Sequence, residues 1–113
     1  MIVTVTVNPM IEQFHEVPGF AAGETHRPES AASVVASGKP LNVARALRDL
    51  GEEVVAVVAT GGSTGQEILE RLEEEHLDSR HVRLAQESRR GFTVFGGGRT
   101  STVYGPAPGI SDA

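Results

Sequence analysis

The chain has 113 residues, 39% hydrophobic and 22% charged, enough for one small domain with its own core and too few for two. Its 15 acidic and 10 basic residues give a formal net charge of −5 with no basic run, which excludes a reader of the nucleic-acid phosphate backbone. It has no cysteine, its histidines (His15, His26, His76, His81) include no i, i+4 pair, and no apolar run approaches the ~20 residues of a membrane helix, so thiolate chemistry, a histidine-pair metal site and a helical membrane span are excluded.

The opening "MIVTVTVNP" alternates β-branched residues and is punctuated by Asn8-Pro9; it predicts a strand and does not have the make-up of a signal peptide. A soluble, cytoplasmic protein is the expectation. "FHEVPGF" and "HRPESAASVVAS" alternate weakly and carry Pro and Gly, which predicts short, exposed, edge-type strands. From Pro40 the period changes. Leu41, Ala44, Leu47 and Leu50 recur at helical spacing, Pro40 suits a first turn, and Gly51 suits the position just past a helix end.

"EVVAVVA" is nearly continuous in apolar residues, the pattern of a strand covered on both faces. "TGGSTG" then leads into a second helix with Ile68, Leu69 and Leu72 on its buried stripe, and Thr64 with Glu67 or Ser63 with Gln66 as a capping box. "RHVRLA" predicts a third core strand, and "GFTVFGGGRTSTVYGP" a hairpin whose second arm opens at Arg99 and Thr100. Ser111-Asp112 has the make-up of a helix start with no helix after it, which predicts the front part of something longer. Strand–helix–strand–helix–strand is the order of an open parallel α/β sheet, with the weakly amphipathic strands as a separate β layer off its edge. Ligands of such sheets sit at the carboxyl ends of the strands.

Two glycine-rich turns invite an anion. In "ASGKPLN", Gly38 permits close backbone approach, the following helix offers free N–H groups, and Lys39 adds a full charge; the alternative is an exposed lysine at an ordinary helix start. A phosphate-binding loop of the Walker A type does not fit, since Pro40 stands where Ser or Thr belongs. In "TGGSTG" the G-x-G-x-x-G spacing of dinucleotide sites is absent, and tight-turn geometry is the better reading. Arg89-Arg90 is either an anion contact or a solvated corner, and Glu12, just past the first strand, is either a ligand group or surface. Jointly, Glu12, Lys39, Asn42 and Arg89 fall at one edge of the sheet. A carboxylate, an amide and two cations suit a polyol that carries a phosphate.

"MIVTVTVNPMIEQFHEV", "ASGKPLNVARALRDLGEEVVAVVATGGSTG", "ESRRGFTV" and "GPAPGIS" together resemble the opening of the PfkB (ribokinase-like) sugar kinases, nearest the 1-phosphofructokinase and tagatose-6-phosphate kinase group. The resemblance runs over essentially the whole chain. It implies an α/β ribokinase-like fold: a partial Rossmann-type parallel sheet with flanking helices plus a small β lid, its strands at about 14–36 and 91–105. Lids of this kind often pair between subunits, implying a homodimer.

The activity implied is ATP-dependent phosphorylation of a phosphorylated ketohexose, residues 1–113 being the N-terminal sugar-binding part. ATP and Mg²⁺ are implied as cofactors, but the residues that would bind them, and the catalytic Asp of a Gly-Ala-Gly-Asp motif, belong to a C-terminal half not in this sequence. Carried over, the resemblance makes Lys39 and Arg89 ligands of the sugar's phosphate. It gives Asn42 to the hydroxyls or the loop, Gly38 to close approach of the sugar, and Asn8, beyond Thr4 and Thr6, to organising the site's polar groups. Three departures mark the same site. Glu12 stands for a hydroxyl-binding Asp, Ser37 and Pro40 stand for glycines of Gly-Gly-Lys-Gly, and Gly91 stands for an Asn. They are consistent with a changed substrate or a decayed site. Two rival readings remain open at this level: a non-catalytic sugar-phosphate-binding or oligomerisation module, and a truncated or split-gene product that works only with a complementing half.

Overall fold

The computed structural model describes residues 1–110; the Ser111-Asp112 helix start lies outside the described residues. In chain order the elements are β1 (Ile2–Thr6), β2 (Met10–Glu16), β3 (Ser33–Ser37), α1 (Lys39–Asp49), β4 (Val54–Thr60), α2 (Gly62–Glu74), β5 (Ser79–Arg83), β6 (Arg89–Gly96) and β7 (Arg99–Tyr104). They form two sheets: a parallel one in the order β1-β4-β5, and a mixed one in the order β3-β2-β6-β7.

In the parallel sheet, Thr4 and Thr6 pair with Ala56 and Val58 and face the same way. Both helices lie over that face, since Leu41 and Ala44 of α1 and Ile68 and Leu72 of α2 join Val54, Ala56 and Val58 in one buried cluster. Burial of each Val, Leu or Ile side chain in it contributes about 1.5–3 kcal/mol. The second sheet is rooted in the same core through Ile11 and Ala36.

Several expectations change here. β4 is not covered on both faces: Val54, Ala56, Val58 and Thr60 are buried, while Val55, Val57 and Ala59 are only half-buried. The two helices occupy one face and leave Val3, Val5 and Val82 exposed on the other. β5 is an edge strand with mostly exposed residues, not a core strand. Leu50 continues the helical spacing but is 78% exposed, because the helix ends under it. Of the two weakly patterned segments, only Phe14–Glu16 and Ser33–Ser37 are extended. Pro18 and Pro28 have no N–H for a ladder, so the chain between them runs irregularly.

The helix ends show how local sequence sets the fold. At α1, Gly51 takes φ +85°, and the N–H groups of Gly51 and Glu52 donate to the carbonyls of Arg48 and Leu47, the two-bond glycine cap. At α2 the same pair of bonds, from His76 to Glu73 and from Leu77 to Leu72, is made with His76 at φ +59°. The N-terminus of α2 carries no capping box. The Glu87 carboxylate caps it from a neighbouring loop, accepting from the Thr64 N–H at 2.5 Å and the Ser63 hydroxyl at 2.9 Å.

Candidate functional site

Alternation along the second sheet brings residues from four strands to one face. Glu12, Gly91 and Tyr104 stand in register across β2, β6 and β7, and Phe14, Thr93 and Thr102 stand in register beside them. With the N-terminal turn of α1 this face encloses a cleft of about 600 Å³, lined among others by Glu12, Gly38, Lys39, Asn42, Arg89 and Tyr104. All five sequence-derived site residues therefore meet in one cavity. Its floor also carries Phe14 and Phe95, stacked with ring centroids 6.0 Å apart.

Glu12 is neither just past the first strand nor on the surface. It lies inside β2, 5% exposed, and its Oε2 accepts from Thr93 Oγ1 at 2.7 Å and from Tyr104 Oη at 3.2 Å. Two hydroxyl donors, rather than a cation, hold the buried carboxylate.

Arg89 opens β6, half-buried. Its Nη2 donates to the Asn8 carbonyl at 3.2 Å and its guanidinium sits 5.6 Å from the Tyr104 ring centre, while its Nε is buried without a partner. Asn8 thus meets the site through its backbone carbonyl, which accepts from Arg89. Lys39, the first residue of α1, is exposed. Among the described residues neither Lys39 nor Arg89 makes an ion pair. The first turn of α1 has no acidic residue and no side-chain cap. Two uncompensated cations beside open N–H groups favour an anion at this end of the cleft.

Asn42 follows one turn in, and its amide has a defined direction. Arg45 Nη1 lies 3.0 Å from Asn42 Oδ1. A guanidinium only donates, so the oxygen must face it and the amide nitrogen is left as the free donor. Arg45 is held in turn by Glu75 at 2.7 and 3.1 Å and by the Ala36 carbonyl at 2.6 Å.

Gly38 lines the cleft and has a steric reason of its own. A Cβ there would lie 2.8 Å from Thr6 Cγ2, so the glycine lets the helix start settle onto β1. Thr4 and Thr6 are buried beneath the helix layer and do not line the cleft. Gly91 also has a steric reason: a Cβ there would meet Tyr104 Cδ1 at 2.7 Å and the Val103 carbonyl at 2.9 Å. The Tyr104 ring occupies the space above it.

Arg90, the other half of the arginine pair, points away, bonding Thr64 Oγ1 at 3.1 Å and pairing with Glu67. The "TGGSTG" turn is a packed corner: the Gly61 N–H donates to Ser88 Oγ at 3.0 Å, and Glu87 already takes the helix N-terminus. Thr93 and Tyr104 are the site residues that the sequence reading missed. The hairpin itself carried the signal, because a turn at Gly97-Gly98 pairs Gly96 with Arg99 and counts out to Thr93 with Thr102 and Gly91 with Tyr104.

Residues 4–108 match the family model described as pfkB family carbohydrate kinase. A tagatose-6-phosphate kinase of Staphylococcus epidermidis is 31% identical over 110 residues, covering 97% of this chain and 35% of that protein. A Thermotoga maritima protein described as a possible 1-phosphofructokinase superposes with TM-score 0.89 at 25% identity, covering 99% of this chain and 37% of its own. The Escherichia coli phosphofructokinase-2, solved with fructose-6-phosphate, gives TM-score 0.88 at 24% identity over 98% of this chain and 37% of its own. The fold is ribokinase-like, and the chain spans little more than a third of the length of these relatives.

Proposed function

The chain belongs to the pfkB family of carbohydrate kinases, and on that premise we propose that its cleft binds the phosphorylated ketohexose on which such a kinase acts. Residues 1–113 serve as the N-terminal, sugar-binding part, with the mixed sheet as the lid. Lys39, Arg89 and the open N–H groups of α1 receive the phosphate; Glu12 and the Asn42 amide nitrogen receive hydroxyls. One observation carries the reading: among the described residues, two cations free of ion pairs share a cleft with a buried carboxylate held by two hydroxyls. A cytoplasmic setting and a homodimer through the lid go with it.

The family implies ATP and Mg²⁺ as cofactors of such a kinase. Among the described residues no group of three or more His, Cys, Asp or Glu is placed to hold a metal ion. Positioning, not phosphoryl transfer, is the task of these side chains: they hold the anion at one end of the cleft and orient the hydroxyls at the other. A complementing part is favoured over a self-sufficient binding module by the valine face of the parallel sheet, with Val3 and Val5 more than half exposed.

The test is calorimetric titration of the chain with fructose 1-phosphate, fructose 6-phosphate, tagatose 6-phosphate and unphosphorylated fructose. Saturable binding of at least one phosphate ester, with none of free fructose, is expected. Equal binding of fructose, or no binding by a folded chain, refutes the proposal.

A further inference from the structure

Tyr104 stands on an edge strand, yet its hydroxyl reaches across β6 to a buried carboxylate on β2. That reach requires the ring to lie over Gly91, where a Cβ would come within 2.7 Å of it. The same ring lies 5.6 Å from the Arg89 guanidinium. One aromatic residue therefore touches both the cationic and the acidic pole of the cleft, and it is only half-exposed.

The consequence lies in the acceptor capacity of Glu12. A carboxylate grips a pair of adjacent sugar hydroxyls by giving one oxygen to each. Here Oε2 already accepts from Thr93 at 2.7 Å and from Tyr104 at 3.2 Å, which uses its two lone pairs. Only Oε1 is left for a ligand. From this we infer that Tyr104 is a specificity-determining residue: by occupying Glu12 Oε2 it limits the carboxylate to a single sugar hydroxyl, so the cleft discriminates poorly between epimers that differ at a neighbouring one. This rests on the sugar-phosphate reading above and adds to it the breadth of the substrate class. Thr93, buried and on a central strand, is the fixed donor of the pair; Tyr104 is the one that a substitution can remove without disturbing the core.

The experiment compares wild type with Tyr104→Phe, which keeps the ring and drops the hydroxyl. Fructose 6-phosphate and tagatose 6-phosphate, epimers at C4, are titrated into each. Wild type should bind the two within about threefold, and Tyr104→Phe should shift their affinity ratio by roughly fivefold or more, the scale of one hydrogen bond. A ratio unchanged in Tyr104→Phe, with binding retained, overturns the inference and leaves the sugar-phosphate reading standing. Absence of binding of either ester to wild type overturns both.

Discussion

Removing the Arg45 side chain should damage stability and ligand binding together. The guanidinium joins three parts of the molecule: its own helix through the Asn42 amide, the end of α2 through both oxygens of Glu75, and β3 through the Ala36 carbonyl. Its side chain is 18% exposed and that of Glu75 29%, so the pair is partly shielded from water. In Arg45→Ala, loss of the bidentate pair costs about 1 kcal/mol. The Ala36 carbonyl, in a residue only 1% exposed, loses its partner at about 1–2 kcal/mol. Lost packing of the aliphatic stem adds roughly 1 kcal/mol, for a total near 3 kcal/mol. Arg45→Lys keeps the charge but cannot reach all three acceptors, and should lose about half as much. Urea denaturation reads these values. The freed Asn42 amide should also weaken the binding of a sugar phosphate by about tenfold in Arg45→Lys, read by calorimetry. A loss below about 1 kcal/mol in Arg45→Ala, or an Arg45→Lys chain indistinguishable from wild type in both assays, would refute the clamp.

His76→Gly should stabilise the fold by about 0.5–1 kcal/mol, since His76 holds φ +59° at the end of α2; a lowered urea midpoint would contradict this. Glu87 donates nothing and accepts from the start of α2, and the Thr64 N–H followed by the Ser63 hydroxyl holds its pKa below the usual carboxylate value of 4.5. Its contribution is therefore present above 4.5 and is lost as pH falls through the lowered folded-state value, so the midpoint gap between wild type and Glu87→Gln should close on acidification; a gap constant with pH would count against the cap. The open face bearing Val3, Val5 and Val82 should drive self-association in sedimentation velocity, and Val5→Lys should shift the distribution toward monomer. A concentration-independent monomer of the wild-type chain, melting reversibly, would refute that.

What was legible in the sequence follows from how local each signal is. The change of period at Pro40, the glycine after α1 and the Gly97-Gly98 turn depend on adjacent residues, and α1, its cap and the β6–β7 hairpin stand where these put them. The meeting of Lys39, Asn42, Glu12 and Arg89 was legible only as a sum of weak signals, strengthened by family resemblance. What failed depended on distant partners. The valine run of β4 resembles a strand buried on both faces because its composition suits one, but among the described residues the helices that cover it, α1 and α2, both lie on one side. The helix cap of α2 comes from Glu87, 23 residues from Thr64 and invisible to a local capping pattern. The Glu12 bond to Tyr104 spans 92 positions and crosses a strand, so it required the register of both pairs.

The measurement closest to the central claim is backbone amide shift mapping by NMR as fructose 6-phosphate is titrated into the isotope-labelled chain. The largest shifts should fall on Gly38, Lys39 and Asn42 and on Glu12, Arg89, Thr93 and Tyr104, the residues around the cleft. Two other surface hollows serve as internal controls, one along Glu16–Pro18 and Thr25–Ser30 and one at the Thr60–Gly62 turn, and both should stay silent. Shifts centred on either hollow, or none at saturating ligand in a folded chain, would contradict a sugar-phosphate site between the lid and α1.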